Sequence, residues 1–206
     1  MHAPGVVDTS TNAITGMKAS TAVVVLSAFL LSCDGSSTPG WNPVNVHADY
    51  ALPYPVGKAY VCMQGFNSTP THMGSFKYSV DFSMSIGTPV TAARRGQVVY
   101  VVHAYFDSDP AAGHENVVIV RHEDSTYARY SHLTMNGSWV IVNNLVIEGD
   151  TIGLSGNSGS SVPHLHFDVT ASFSGRDDQT IPFAFRNTAP HPAGPQRGVT
   201  YEAYRY

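Results

Sequence analysis

VPHLHFDVT, residues 162–170, alternates without a break: Leu165, Phe167 and Val169 point to one side, and His164, His166, Asp168 and Thr170 to the other. A period of two over this length marks a β-strand with one buried face. Same-face neighbours on a strand lie about 6.6–7 Å apart, which suits one imidazole gripping a metal while the other reaches a water or substrate beside it; a solvent-facing polar strip is the alternative, and the commoner one for an isolated HxH. Outward from this segment, apolar, β-branched and aromatic runs recur at Ala59–Met63, Tyr78–Met84, Gln97–His103, Asn116–His122, Tyr127–Leu133, Trp139–Ile147 and Thr151–Leu154, separated by Gly, Asn, Asp, Ser and Pro clusters. That pattern is all-β. No stretch carries a 3.6-residue apolar stripe of helix length.

Composition narrows the function classes. The 206 residues suffice for one medium domain with short appendages. Net charge is −4, from 11 Lys+Arg against 15 Asp+Glu, and no basic block occurs, so nucleic acid is not an expected partner. Ten histidines nearly equal the Lys+Arg total, and histidine is the commonest metal ligand and the side chain best suited to acid–base work near neutrality. Two cysteines exclude a cysteine-only zinc site and a disulfide-dense scaffold.

Ala19–Leu31, ASTAVVVLSAFLL, is an uncharged run behind Met17-Lys18. It is too short to span a bilayer, which takes about 20 residues, and it reads as a secretory signal. Its end, Leu30-Leu31-Ser32-Cys33, resembles the lipobox of bacterial lipoproteins, in which Cys33 is acylated and becomes the first mature residue; plain secretion and a buried core helix are the alternatives. The chain then divides into a start-site extension (1–16), a signal peptide (17–32), a tether (33–50), the domain proper (51–187) and a Pro-rich tail (188–206) that Tyr201, Tyr204 and Tyr206 can dock. A lipid on Cys33 would hold the domain beside a membrane and leave Cys62 without an intramolecular partner; otherwise the two cysteines can pair in an oxidising compartment.

The HLH strand has company. His132 lies near a strand end in Tyr130-Ser131-His132-Leu133, with Tyr130 expected on its face. His72 follows a Gly/Asn/Ser/Thr/Pro loop, and Asp81 interrupts the apolar run Tyr78–Met84. A carboxylate in such a strand needs a partner if buried, and a cation is one. Zn²⁺ with three N/O ligands and an open fourth position is the usual catalytic arrangement.

In order along the chain come Gln64-Gly65-Phe66 leading to His72, Tyr78-Ser79-Val80-Asp81-Phe82, Gly87-Thr88-Pro89-Val90 with Ala92-Ala93, and Gly96-Gln97-Val98-Val99. After these follow Asn116-Val117-Val118-Ile119, Tyr130-Ser131-His132-Leu133, Gly149-Asp150-Thr151-Ile152-Gly153 with Gly156-Asn157-Ser158-Gly159, and His164-Leu165-His166-Phe167. This ordered set resembles the lysostaphin-type (LytM-domain) zinc metalloendopeptidases that cut peptidoglycan peptides, over roughly Ala51–Asn187. The resemblance implies an antiparallel β-sheet or sandwich on a duplicated hybrid motif with loop-rich additions. It implies one Zn²⁺ held by His72, Asp81 and His166, with His132 and His164 as the catalytic pair beside a metal-activated water. Eight residues separate His72 from Asp81, more than in the commonest family pattern. A monomer in the bacterial cell envelope acting on peptidoglycan peptide is expected. The alternatives are a catalytically inactive LytM-like module that binds and regulates another wall hydrolase, and a binding protein whose histidines merely chelate metal. Inactive modules lack one or more ligands, whereas all five positions are filled here.

Several residues stay open at this level. Asp168 is either an outer partner of His166 or a surface carboxylate, and the GNSGSS loop (156–161) either lines the cleft or is an ordinary turn. His103, His114 and His122 read as solvated turn residues, Arg94-Arg95 as a solvated pair, and Tyr60, Tyr100, Tyr105, Tyr127 and Trp139 as packing residues.

Overall fold

In the computed structural model the described residues are 47–174 and 178–206; the signal-peptide and lipidation readings, Cys33 included, lie outside them. The strands are β1 (His47–Tyr50), β2 (Ala59–Gln64), β3 (Val80–Phe82), β4 (Pro89–Thr91), β5 (Gly96–Val102), β6 (Asn116–Arg121), β7 (Tyr127–Ser138), β8 (Leu145–Val146), β9 (Thr151–Ser155), β10 (Leu165–Thr170), β11 (Phe183–Phe185) and β12 (Thr200–Glu202). Among the described residues, helical structure is confined to the 3₁₀ turn Gly74–Phe76. The fold is thus almost entirely β, and every strand pair but one is antiparallel, the exception being β1 with β11.

The main sheet runs β12-β2-β3-β10-β7-β6-β5-β8, with β9 pairing both β4 and β7. β10 lies at its centre, as its unbroken alternation demands: Leu165, Phe167 and Val169 are fully buried among Val80, Phe82, Val118 and Ala128. Phe167 meets Tyr50, Tyr130 and Phe183 edge-on, with ring centroids 5.2–6.2 Å apart. The β1–β11 pair therefore covers the apolar face of the sheet, and the polar residues of β10 are left for the other. β1 falls within the last four residues of the stretch read as a tether.

Other segments depart from the sequence reading. Trp139–Ile147 is not one strand: Asn143 sits at φ +76° and its N–H donates to the Val98 carbonyl (2.8 Å), so an Asn-Asn turn leaves only Leu145–Val146 paired with β5. Trp139 is exposed rather than packed. In the tail, residues 200–202 add a strand to the sheet edge; Tyr201 is buried and its carbonyl accepts the Tyr54 hydroxyl at 2.7 Å. Cys62 is free and fully buried, and burial pushes its thiol up to about 12.

His122 is also not a solvated turn residue. It is buried, its Nδ1 donates to the Arg95 carbonyl (2.7 Å), and its Nε2 has no partner. Burial drives its pKa down to about 4. The unfolded chain therefore takes up a proton near pH 6.5 that the folded chain refuses until about pH 4. Stability at this site is full above pH 6.5 and falls by about 3 kcal/mol as pH drops through that window. Urea midpoints of the parent and of His122→Gln, measured from pH 7 to 4, check this: the variant is expected to lose that part of the slope.

Candidate metal centre

The site is a row across the sheet. Gln64 of β2 pairs with Asp81 of β3, Asp81 with His166 of β10, and His166 with Ser131 of β7. Directly opposed residues share a face, so adjacent strands bring Asp81 and His166 side by side although 85 positions part them in sequence. His166 Nδ1 lies 2.9 Å from Asp81 Oδ1. His72 arrives from the loop after β2, its ring fully buried, with Nε2 3.2 Å from Asp81 Oδ2. The ligand atoms of His72, Asp81 and His166 all lie within 4.8 Å of one another.

The hydrogen bonds define what this cradle can hold. His72 Nδ1 donates to the Gly65 carbonyl (3.0 Å), which in a neutral ring leaves Nε2 as a bare lone pair. That buried nitrogen has no hydrogen-bond partner and faces a carboxylate oxygen, itself an acceptor. Two acceptors at this distance repel unless a proton or a metal cation lies between them. Gln64 Nε2 donates to Asp81 Oδ2 (2.9 Å), which orients the carboxylate. Burial opposes ionisation of Asp81, yet the hydrogen bond from His166 and the charges of His166 and His164 hold it well below the usual carboxylate range. Two imidazoles and one carboxylate match the ligand preferences of zinc better than those of calcium or magnesium.

An outer layer fixes His166. Its Nε2 lies 2.8 Å from Asp168 Oδ2, and Asp168 is fully buried, so the surface-carboxylate alternative is excluded. Arg129, opposite Asp168 on β7, grips both carboxylate oxygens through Nε (3.1 and 3.0 Å) and Nη2 (2.7 Å). The Phe76 ring covers the guanidinium at 5.3 Å. Burial disfavours charge on His166, but the carboxylates at both of its nitrogens outweigh this and raise it to about 9 in the metal-free site. With Nε2 committed to Asp168, Nδ1 is the nitrogen left for a cation.

His132 reaches the site by a backbone irregularity. On β6 the adjacent residues Asn116 and Val117 face Leu133 and Ser131, leaving His132 as the extra residue of a bulge at φ +62°. Regular alternation would send it to the core side with Tyr130, whose hydroxyl accepts the Ala93 N–H (2.8 Å); the expectation that the two share a face does not hold. The bulge turns the His132 ring to within 4.5 Å of His164 and 5.9 Å of His166, centroid to centroid, and a left-handed non-glycine residue costs about 1 kcal/mol. His132 Nδ1 donates to the Ser158 carbonyl (2.7 Å) and His164 Nδ1 to the Val162 carbonyl (2.8 Å), so both present Nε2 lone pairs. His164 Nε2 lies 3.7 Å from Asp81 Oδ1. Burial, followed by the neighbouring imidazoles, drives His132 down to about 3; burial also lowers His164, against the pull of Asp81.

The glycine-rich loop holds that geometry. Ser158 Oγ accepts the Asn116 N–H (2.9 Å) and donates to the Leu133 carbonyl (2.7 Å), while Asn157 N–H donates to Asp107 (3.0 Å). At Gly156 a Cβ would collide with the Thr134 backbone nitrogen, so the close approach requires glycine there. All five residues singled out from sequence thus meet in one place. Arg129, Gln64 and Ser158 were not assigned roles; only strand register and loop contacts reveal theirs.

The model of Peptidase family M23 matches residues 75–179, a span that begins three residues after His72. The chain is 33% identical over 123 residues to the peptidoglycan DD-endopeptidase ShyA of Vibrio cholerae, covering 56% of this chain and 26% of the relative. It is 32% identical over 108 residues to outer membrane antigenic lipoprotein B of Haemophilus influenzae, covering 52% and 24%. The crystallised catalytic domain of lysostaphin from Staphylococcus simulans superposes with a TM-score of 0.47 at 31% identity, over 59% of this chain and 88% of that one. The chain spans about a quarter of the length of these curated relatives.

Proposed function

Because the chain belongs to peptidase family M23, we propose that it is an exported zinc metalloendopeptidase that hydrolyses peptide bonds of peptidoglycan cross-links. In this reading His72, Asp81 and His166 hold one Zn²⁺, and His132 and His164 are the catalytic pair. The observation that carries it is the bare Nε2 of His72 facing the Asp81 carboxylate, beside a His166 whose Nδ1 meets the other oxygen of the same carboxylate. With all five positions filled, the enzyme is favoured over a regulatory module. The name of ShyA supports a peptidoglycan peptide as substrate, and a relative named as an outer membrane lipoprotein supports export and an anchor at Cys33. The working unit proposed is a monomer.

Bound in this cradle, zinc would polarise the scissile carbonyl and lower the pKa of a water. The chain's own side chains handle the protons. Neutral His132 and His164, each pinned through Nδ1 to a backbone carbonyl, keep Nε2 lone pairs beside the cluster, that of His164 3.7 Å from Asp81, and accept the proton of the attacking water. Once protonated, either ring can donate to the carbonyl oxygen as it gains charge, or to the leaving amine.

Digestion of purified peptidoglycan tests this. Peptide release by the full chain should stop with a chelator and return with zinc. His132→Asn, which suits the left-handed backbone, should slow release by about 10²–10⁴ with the zinc content unchanged. Release that ignores chelation, or a fully active His132→Asn, defeats the proposal.

A further inference from the structure

Trp139–Ile147 carries the densest run of exposed apolar side chains among the described residues: Leu145 is 81% exposed, Ile141 71%, Ile147 67% and Trp139 61%, with Val142 between them. Nothing in the core requires them, since Val146, the buried member of the run, does the packing. So many exposed apolar side chains in one short stretch point to an interaction site.

Its position says with what. Leu145 is level with Gln97, Arg121, Tyr127 and Thr170 across the sheet, whereas the row through His166 holds Ser131, Val117 and Val102. Four residues of β7, about 14 Å, separate the two rows. The N-terminal side of the domain joins the patch end. Tyr50 bonds Thr126 through its hydroxyl (2.9 Å) and Arg186 N–H through its carbonyl (2.9 Å), and Arg186 pairs with Glu148, next to Ile147. Ala51 and Gly149 donate to the adjacent carbonyls of Ala93 and Ala92. Fourteen residues lead from Cys33 to His47, about 50 Å at full stretch. A lipid on Cys33 would keep this face within reach of the surface that holds the anchor, and the apolar side chains would then select the docked orientation. Nearby, Arg94 is paired with Asp124, Arg95 with Glu123 and Arg186 with Glu148, while Arg121 bonds the Ser125 hydroxyl, so the surroundings offer apolar contact with little basic field for a polyanion.

We propose that the Trp139–Ile147 face docks on a lipid bilayer, seating Trp139, Ile141, Leu145 and Ile147 at the headgroup–acyl boundary and turning the His72–Asp81–His166 end away from the membrane. The setting rests on the envelope-anchored reading above, and the experiment separates the two. The full chain carrying Trp41→Phe, so that Trp139 is the remaining tryptophan, is coupled through the Cys33 thiol to maleimide lipid in phosphatidylethanolamine–phosphatidylglycerol vesicles; Cys62 is buried and does not compete. Trp139 emission should shift to the blue and be quenched about twofold by lipids brominated near the headgroup end of the acyl chain, as burial by 5–10 Å requires. Leu145→Gln with Ile147→Gln, both at exposed positions, should abolish the quenching and leave zinc content intact. A coupled protein whose Trp139 stays water-like overturns the proposal, as does a blue shift that appears without lipid and grows with protein concentration, which assigns the face to a second copy. The anchor is judged apart, by mass spectrometry of the cellular N-terminus: an unmodified Cys33 removes the anchor reading but leaves the docking result standing.

Discussion

Asp81→Asn is expected to bind no zinc at stoichiometric concentration and to release no peptide from the wall. The substitution keeps the shape of the side chain and removes its charge, so it isolates the electrostatic contribution. Asp81 is the one carboxylate in the three-residue cluster, and both imidazoles are arranged around its two oxygens. Without it a divalent ion would sit among neutral ligands in a buried site, with two imidazoles and no negative charge in the cluster to offset the loss of its hydration. Removing an outer partner of a metal site lowers affinity about 10–100-fold, and loss of a charged ligand should exceed that. Isothermal titration with zinc and peptide release, run side by side, give the check. An Asp81→Asn protein that binds zinc as the parent does would mean that the cluster is not the metal site. Its fold should survive, since amide and carboxylate occupy the same space and the new amide oxygen can still accept from Gln64 Nε2.

What the sequence made legible follows from the reach of each signal. β10 could be read because its period is local: nine residues decide it. Asp81 could be read because an acid in an apolar strand must find a partner somewhere. The row Gln64–Asp81–His166–Ser131 could not, because it depends on which strands are neighbours and in what register. Arg129 illustrates the cost. In YARYSHL it looks like an ordinary outward-facing strand arginine, and only its position opposite Asp168 shows what it grips. His132 was found by its motif but placed on the wrong face, since a bulge leaves no composition signal beyond the residue itself. The Trp139–Ile147 run shows the reverse error: β-branched residues suggested a strand, while Asn143 and Asn144 held the turn information and the apolar side chains face outward. His122 looked solvated because acidic neighbours flank it in sequence, yet its ring folds under Tyr50, with centroids 5.4 Å apart.

The Asp168–Arg129 pair allows stability and metal binding to be pulled apart. Asp168→Ala is expected to destabilise the fold by about 3 kcal/mol, toward the lower end of what breaking a buried ion pair costs, because Arg129 is largely buried and loses both carboxylate oxygens at once. The same change should weaken zinc binding about 10–100-fold, since His166 Nε2 loses the acceptor that fixes its tautomer and leaves Nδ1 for the metal. Taken alone, the second effect could be blamed on the first. Arg129→Met with Asp168→Leu answers this by replacing both charges with apolar groups of similar size. Such swaps are often neutral or stabilising, so the double variant should recover most of the lost stability in urea unfolding. Its zinc affinity should stay low, because no acceptor is restored to Nε2. If affinity returned together with stability, Asp168 would be acting only as a support for the sheet; if it stays depressed in a fully stable protein, the carboxylate positions the ligand directly.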